Sequence, residues 1–106
     1  MIASHAELRE HLRLTAMETS HDAMLGRLLA AAHQHIEAQL GFAIEARYGA
    51  GEDQAPIPAP LRLAVIQLAA YWFDHGEAIA DGRRAHAPFG VREIIDTYRD
   101  RRMWLG

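Results

Sequence analysis

The chain has 106 residues, is 50% hydrophobic and 24% charged, and carries a formal net charge of −3. That length suits one domain around one core, and that balance excludes extensive disorder. It contains no cysteine, which excludes a disulfide framework and a thiolate metal site.

Ser4-His5-Ala6-Glu7 has the form of a capping box, with a Ser hydroxyl for one terminal donor and a Glu reaching back. It predicts a first helix over residues 4–12, with Leu8 and Leu12 on one face. Residues 15–20 form a polar connection in which Thr19 or Ser20 caps the next helix and Asp22 sits near its positive end. The second helix is predicted over residues 21–40. Met24, Leu25, Leu28, Leu29, Ala32, Ile36 and Leu40 recur at spacings of three and four, within an arc of roughly 160° at 100° per residue. Arg27, His33, Gln34 and Glu37 fall outside it, and Gly41 is a helix stop.

Phe42, Ile44, Ala46 and Tyr48 then alternate with Ala43, Glu45 and Arg47. A period of two predicts a short strand, an extended arm or a β-hairpin. Residues 49–56 follow as a loop carrying Gly49, Gly51, Glu52, Asp53 and Gln54. Pro58 and Pro60 suit an extended entry and a first helical turn, where a missing donor costs little.

The third helix, residues 59–75, is the most informative element. Between Leu61 and Phe73 only Arg62 and Gln67 are polar. A helix apolar around most of its circumference must be enclosed by other helices or by another subunit. At 13 residues the run 61–73 falls short of the roughly 20 that span a membrane. Residues 77–87 read as a loop, with a turn at Asp81-Gly82 and room for one further turn of helix at its start. Pro88-Phe89-Gly90 leads into a fourth helix over residues 91–101, on which Val91, Ile94, Ile95 and Tyr98 share a side. The expected fold is all-α: a small bundle of four main helices, with the extended arm or hairpin between the second and third. Its expected core comprises Leu25, Leu28, Leu29, Ile36, Val65, Leu68, Trp72, Phe73, Phe89, Ile94 and Ile95. Trp72→Ala is expected to cost about 3–5 kcal/mol on full burial.

Catalytic and metal chemistry find little support in these residues. Seven histidines are present, but His33 and His35, the closest pair, point about 200° apart on a helix, and the His-Glu-x-x-His spacing is missing. His35 falls within the apolar arc and reads as a satisfied core histidine. There is no G-x-S-x-G and no phosphate-cradling glycine loop, and Ser4 and Ser20 read as caps. No catalytic residue, cofactor or metal is expected.

All eleven basic residues are arginine. Residues 1–60 hold four Arg against eight acids, whereas residues 83–106 hold six against three. A cluster of Arg83, Arg84, Arg92, Arg99, Arg101 and Arg102 admits a small helical DNA-binding regulator as the alternative reading. Steeply salt-dependent duplex binding would identify it. Against it, the chain as a whole is acidic and Glu93, Asp96 and Asp100 interleave with the arginines. The closing Arg99-Asp100-Arg101-Arg102-Met103-Trp104-Leu105 joins the Trp and Arg types that dominate interface hot spots; the equal alternative is that Trp104 folds back and closes the core of its own domain. Glu7 and Arg9 interrupt the stretch a signal peptide would need, so synthesis and retention in the cytoplasm are expected.

In layout the chain resembles the small head–tail connector, or adaptor, proteins of long-tailed bacteriophages and of related gene transfer agents. The resemblance covers nearly the whole chain. It rests on the opening helix ending His11-Leu12-Arg13-Leu14, the amphipathic helix closed by Gly41, and the segment 42–48. It continues through Ile57-Pro58, the apolar helix with Tyr71-Trp72-Phe73, and Pro88-Phe89-Gly90-Val91 leading to Tyr98-Arg99. The acidic segment often found between the first two helices is reduced here to Glu18 and Asp22.

The resemblance implies a helical virion protein without catalytic activity or cofactor, located at the virion neck. It implies a homo-oligomeric ring of about a dozen copies beneath the portal protein. That ring extends the channel for double-stranded DNA and offers the docking surface for a stopper or tail-terminator protein. Within residues 1–106, taken as one domain, residues 99–106 are expected to form a docking tail. Arg99, Arg101, Arg102, Met103, Trp104 and Leu105 would meet the portal. Gly49, Gly51, Glu52, Asp53 and Gln54 would face the lumen or the next ring.

Overall fold

Among the described residues, five helices follow from local chemistry that can be read residue by residue. In the computed structural model, which describes residues 2–12, 22–49, 51–75 and 89–99, the first helix α1 is His5–His11. Its capping box is complete: the Glu7 amide donates to Ser4 Oγ at 3.2 Å and the Ser4 amide donates to Glu7 Oε1 at 3.1 Å. Two of the four orphan donors at that end are thereby satisfied. The second helix α2, Asp22–Leu40, opens on an acidic residue that favours its positive end. It stops at Gly41, whose φ of 87° is a conformation that favours glycine.

The short α3 is Ile44–Arg47. The fourth helix α4, Ala59–Asp74, starts after an extended Pro58 and carries Pro60 in its first turn. The fifth, α5, is Phe89–Tyr98.

Helix α4 is the centre of the bundle. It packs against α2, α5 and α1, and α2 also meets α1 and α5. Leu61, Ala64, Val65, Ile66, Leu68, Ala69 and Ala70 are buried along α4, as an apolar circumference requires. Leu25, Leu29, Ala32, Ile36 and Leu40 face it from α2, with Leu8 from α1, Ile44 from α3, and Val91 and Ile95 from α5. Ile2 and Ala3 close one end. Among the described residues no polar or charged side chain is buried. Each fully buried Leu or Ile therefore contributes on the order of 2–5 kcal/mol against truncation to Ala.

The all-α expectation holds, and several local expectations change. The segment expected as an extended arm or hairpin is the one-turn helix α3. Glu37, reaching from α2, accepts the Ile44 amide at 2.6 Å and stabilises a helical start there. Among the described residues, extended pairing survives only as an isolated bridge between Tyr48 and Ala55.

On α2 the buried residues occupy an arc of about 80°, half the expected width. Leu28 is half-buried and Met24 is exposed. His35 is exposed rather than in the core, with its ring edge-on to Trp72 at 5.7 Å. It is His33 that is half-buried. Trp72, Phe73 and Ile94 are half-buried and pack on the core from outside; the buried residues of α4 run from Leu61 to Ala70, and Trp72 and Phe73 follow them in its last turn. Phe89 begins α5, and its side chain lies outside what is described. So do residues 13–21 and 76–88, which hold the expected interhelical connections.

Candidate functional site

The expected docking tail begins at Arg99, and here the structure is specific. Arg99 Nε donates to the Gln39 carbonyl at 3.1 Å and Nη2 donates to Gln39 Oε1 at 3.3 Å. Nη1 pairs with Asp96 at 3.7 Å. Gln39 lies in the last turn of α2, where carbonyls lack intrahelical donors and a cation is favoured. Arg99 therefore ties the end of α5 to the end of α2. The remaining expected docking residues, Arg101, Arg102, Met103, Trp104 and Leu105, lie outside the described residues, as do Arg83 and Arg84.

The loop expected to face the lumen is fastened at its base. The Gly49 amide donates to the Ala55 carbonyl at 2.9 Å. Gln54 bridges the loop to α3, accepting from the Gly51 amide at 3.2 Å and donating to the Ala46 carbonyl at 3.0 Å. Gly49 has φ 132°, which favours glycine. Of the five expected loop residues, Gly51, Glu52 and Asp53 are exposed, while Gly49 and Gln54 are half-buried. Beside this loop an open groove of about 620 Å³ is lined by Ile2, Tyr48, Gln54, Ile57 and Arg62, among others.

The corner between α2 and α3 holds a small polar chain. His33 Nε2 lies 3.2 Å from Glu37 Oε2, the oxygen that also accepts the Ile44 amide. Near the other end of α2, Arg9 of α1 meets Asp22 at 3.4 Å. The Arg9–Asp22 pair joins α1 to α2 and the Glu37–Ile44 bond joins α2 to α3, whereas His33 and Glu37 stand one turn apart on α2 itself. Among the described residues no group of three His, Asp or Glu side chains could hold a metal ion. No helix among them is long and apolar enough to cross a membrane.

What sequence reasoning missed is the surface of α4. Leu63 is 44% exposed, and with Met24, 50% exposed, it is a large hydrophobe facing solvent among the described residues. Leu63 stands between two open grooves. One is shared with Glu7, Glu10 and His11 of α1, the other with Glu93, Ile94 and Tyr98 of α5. Helical periodicity alone could not find it, since an all-round apolar helix does not declare which residue lacks a neighbour.

The geometry, then, is that of a packed core with tied helix ends, exposed apolar points and charged rims. Compared with known families, the chain matches the model described as phage gp6-like head–tail connector protein over residues 4–99. No curated protein and no solved structure matches it.

Proposed function

The chain belongs to the phage gp6-like head–tail connector family, and we propose that it forms a ring beneath the portal vertex, extends the DNA channel and presents the surface on which a stopper or tail terminator docks. The family is one of structural phage connectors, and its place is the head–tail interface of the virion. The observation that carries the reading is the extent of the match, which runs from the Ser4 cap of α1 to the Arg99 tie that closes the bundle. Every described element thus falls within the family domain.

The physical properties support the finer reading. A ring is a heterologous assembly in which each copy offers two different surfaces. A conduit for DNA must let the duplex slide, and a chain of net charge −3 lacks the net basic character that drives tight phosphate binding. Arg99 and residues 101–105 are assigned to docking on the portal, with Arg99 held against the end of α2. The exposed carboxylates Glu52 and Asp53 of the fastened loop are assigned to the lumen or the next ring. About twelve copies, by resemblance to other connectors, would complete the ring.

The experiment that tests this reading is the production of particles lacking the protein. DNA-filled heads without attached tails are the expected defect. Tailed, infectious or transfer-competent particles formed in its absence would overturn it.

A further inference from the structure

Building on the connector reading, we propose that neighbouring copies join head to tail by setting the Met24–Arg27 edge of α2 against the Leu63 ridge of α4 on the next copy. The occupant of each surface is a second copy of this chain.

Three observations carry this. First, Met24 and Leu63 are the large hydrophobic side chains that stand exposed among the described residues, and they belong to different helices. Leu63 borders the grooves toward α1 and α5, and Met24 borders neither. Two separate apolar points on one molecule are what a heterologous contact requires.

Second, the two points have rims of opposite charge. Arg27 is exposed one turn from Met24, and among the described residues its guanidinium reaches only the Ala23 carbonyl, at 3.4 Å. Leu63 lies between Glu10 on one side and Glu93 on the other. Both carboxylates are exposed, and neither has an ion-pair partner among the described residues. A two-fold contact made by either surface with itself would oppose like charges. The head-to-tail contact brings opposite charges together and fixes register.

Third, the α2 edge has the relief for it. Met24, Arg27, half-buried Leu28 and exposed Ala31 fall within about 100° of the helix circumference, with alanine leaving room for a leucine ridge. Such an edge is smaller than the roughly 20–30 residues a side of a standard interface. A single pair is accordingly weak, and closure of the ring, which gives every copy two contacts, supplies the rest.

The chain has no cysteine, so the contact can be trapped without background. Met24→Cys, Leu63→Cys and the double variant are made in the full chain, checked for native circular dichroism, and oxidised both at high protein concentration and within particles. The double variant is expected to give a ladder of multimers on a non-reducing gel. Each single variant should stay monomeric, and a mixture of the two should stop at the dimer. As an independent arm, Arg27→Glu should raise the concentration needed for assembly about tenfold, and Glu10→Arg with Glu93→Arg should restore it.

Dimers from Met24→Cys alone would overturn the proposal, since they mark a two-fold contact. So would a double variant oxidised wholly within one copy, or one that gives no ladder in particles that carry the protein. Failure of the connector reading registers separately, as absence of the wild-type chain from particles. A ladder from concentrated protein alone would then leave the self-contact standing.

Discussion

Arg99→Ala should destabilise the bundle by about 1–2 kcal/mol. The side chain makes two hydrogen bonds across 60 residues of chain, at 3.1 Å to the Gln39 carbonyl and 3.3 Å to its amide oxygen. Hydrogen bonds to a charged group contribute about 1.5–3 kcal/mol in favourable settings. Both distances here are longer than the 2.7–2.9 Å typical of charge-assisted bonds, and the side chain is 28% exposed. Each bond is therefore placed at about 0.5–1 kcal/mol. The pair with Asp96 adds little, since that carboxylate is 71% exposed. Loss of a cation beside the last turn of α2 costs a further few tenths of a kcal/mol, at the low end of the range for helix ends. Thermal unfolding followed at 222 nm should show Tm lowered by roughly 5–10 °C. Arg99→Lys should recover about half of the loss, because an ammonium keeps the charge but not the two-pronged geometry. An Ala variant as stable as the wild type would refute the assignment of Arg99 as the tie between α5 and α2.

Leu68, fully enclosed on α4, should lose about 2–5 kcal/mol on change to Ala. Trp72→Ala should cost about half of the 3–5 kcal/mol expected for a fully buried Trp, and urea midpoints of the two variants compare them directly. Gly49→Ala, at φ 132°, should lose about 1 kcal/mol or more by the same assay, since an L side chain is strained there. Removing residues 100–106 retains Arg99 and should abolish binding to purified portal while far-UV circular dichroism stays intact. Unchanged portal affinity would reject that docking assignment.

The elements set by short-range chemistry were legible in the sequence. The Ser4–Glu7 box, the stop at Gly41 and the Pro58-Ala59-Pro60 entry each act within one turn of helix, and each stands where the residues placed it. The segment from Phe42 to Tyr48 was not legible, because its helical turn depends on a carboxylate seven residues upstream taking the Ile44 amide. Period-two alternation over so few residues fits a turn of helix as readily as a strand.

Periodicity also misjudged how much of α2 its neighbours cover. At about 100° per residue, Leu28, His35 and Met24 sit roughly 40–80° beyond the edge of the buried arc. That is how a histidine expected in the core came to stand outside it. The same limit hid Leu63: apolarity marks α4 for enclosure, but only packing shows which of its residues the bundle leaves uncovered. At the start of the docking tail, the contact of Arg99 to Gln39 was not legible either, because it joins residues 60 apart in the chain.

The most direct test of the central claim is to locate the protein in intact particles by cryo-electron microscopy, using a fused tag or a specific Fab. The account predicts ring-shaped density at a single vertex, between portal and tail. Labelling spread over the capsid shell, along the tail, or absent from purified particles would contradict it.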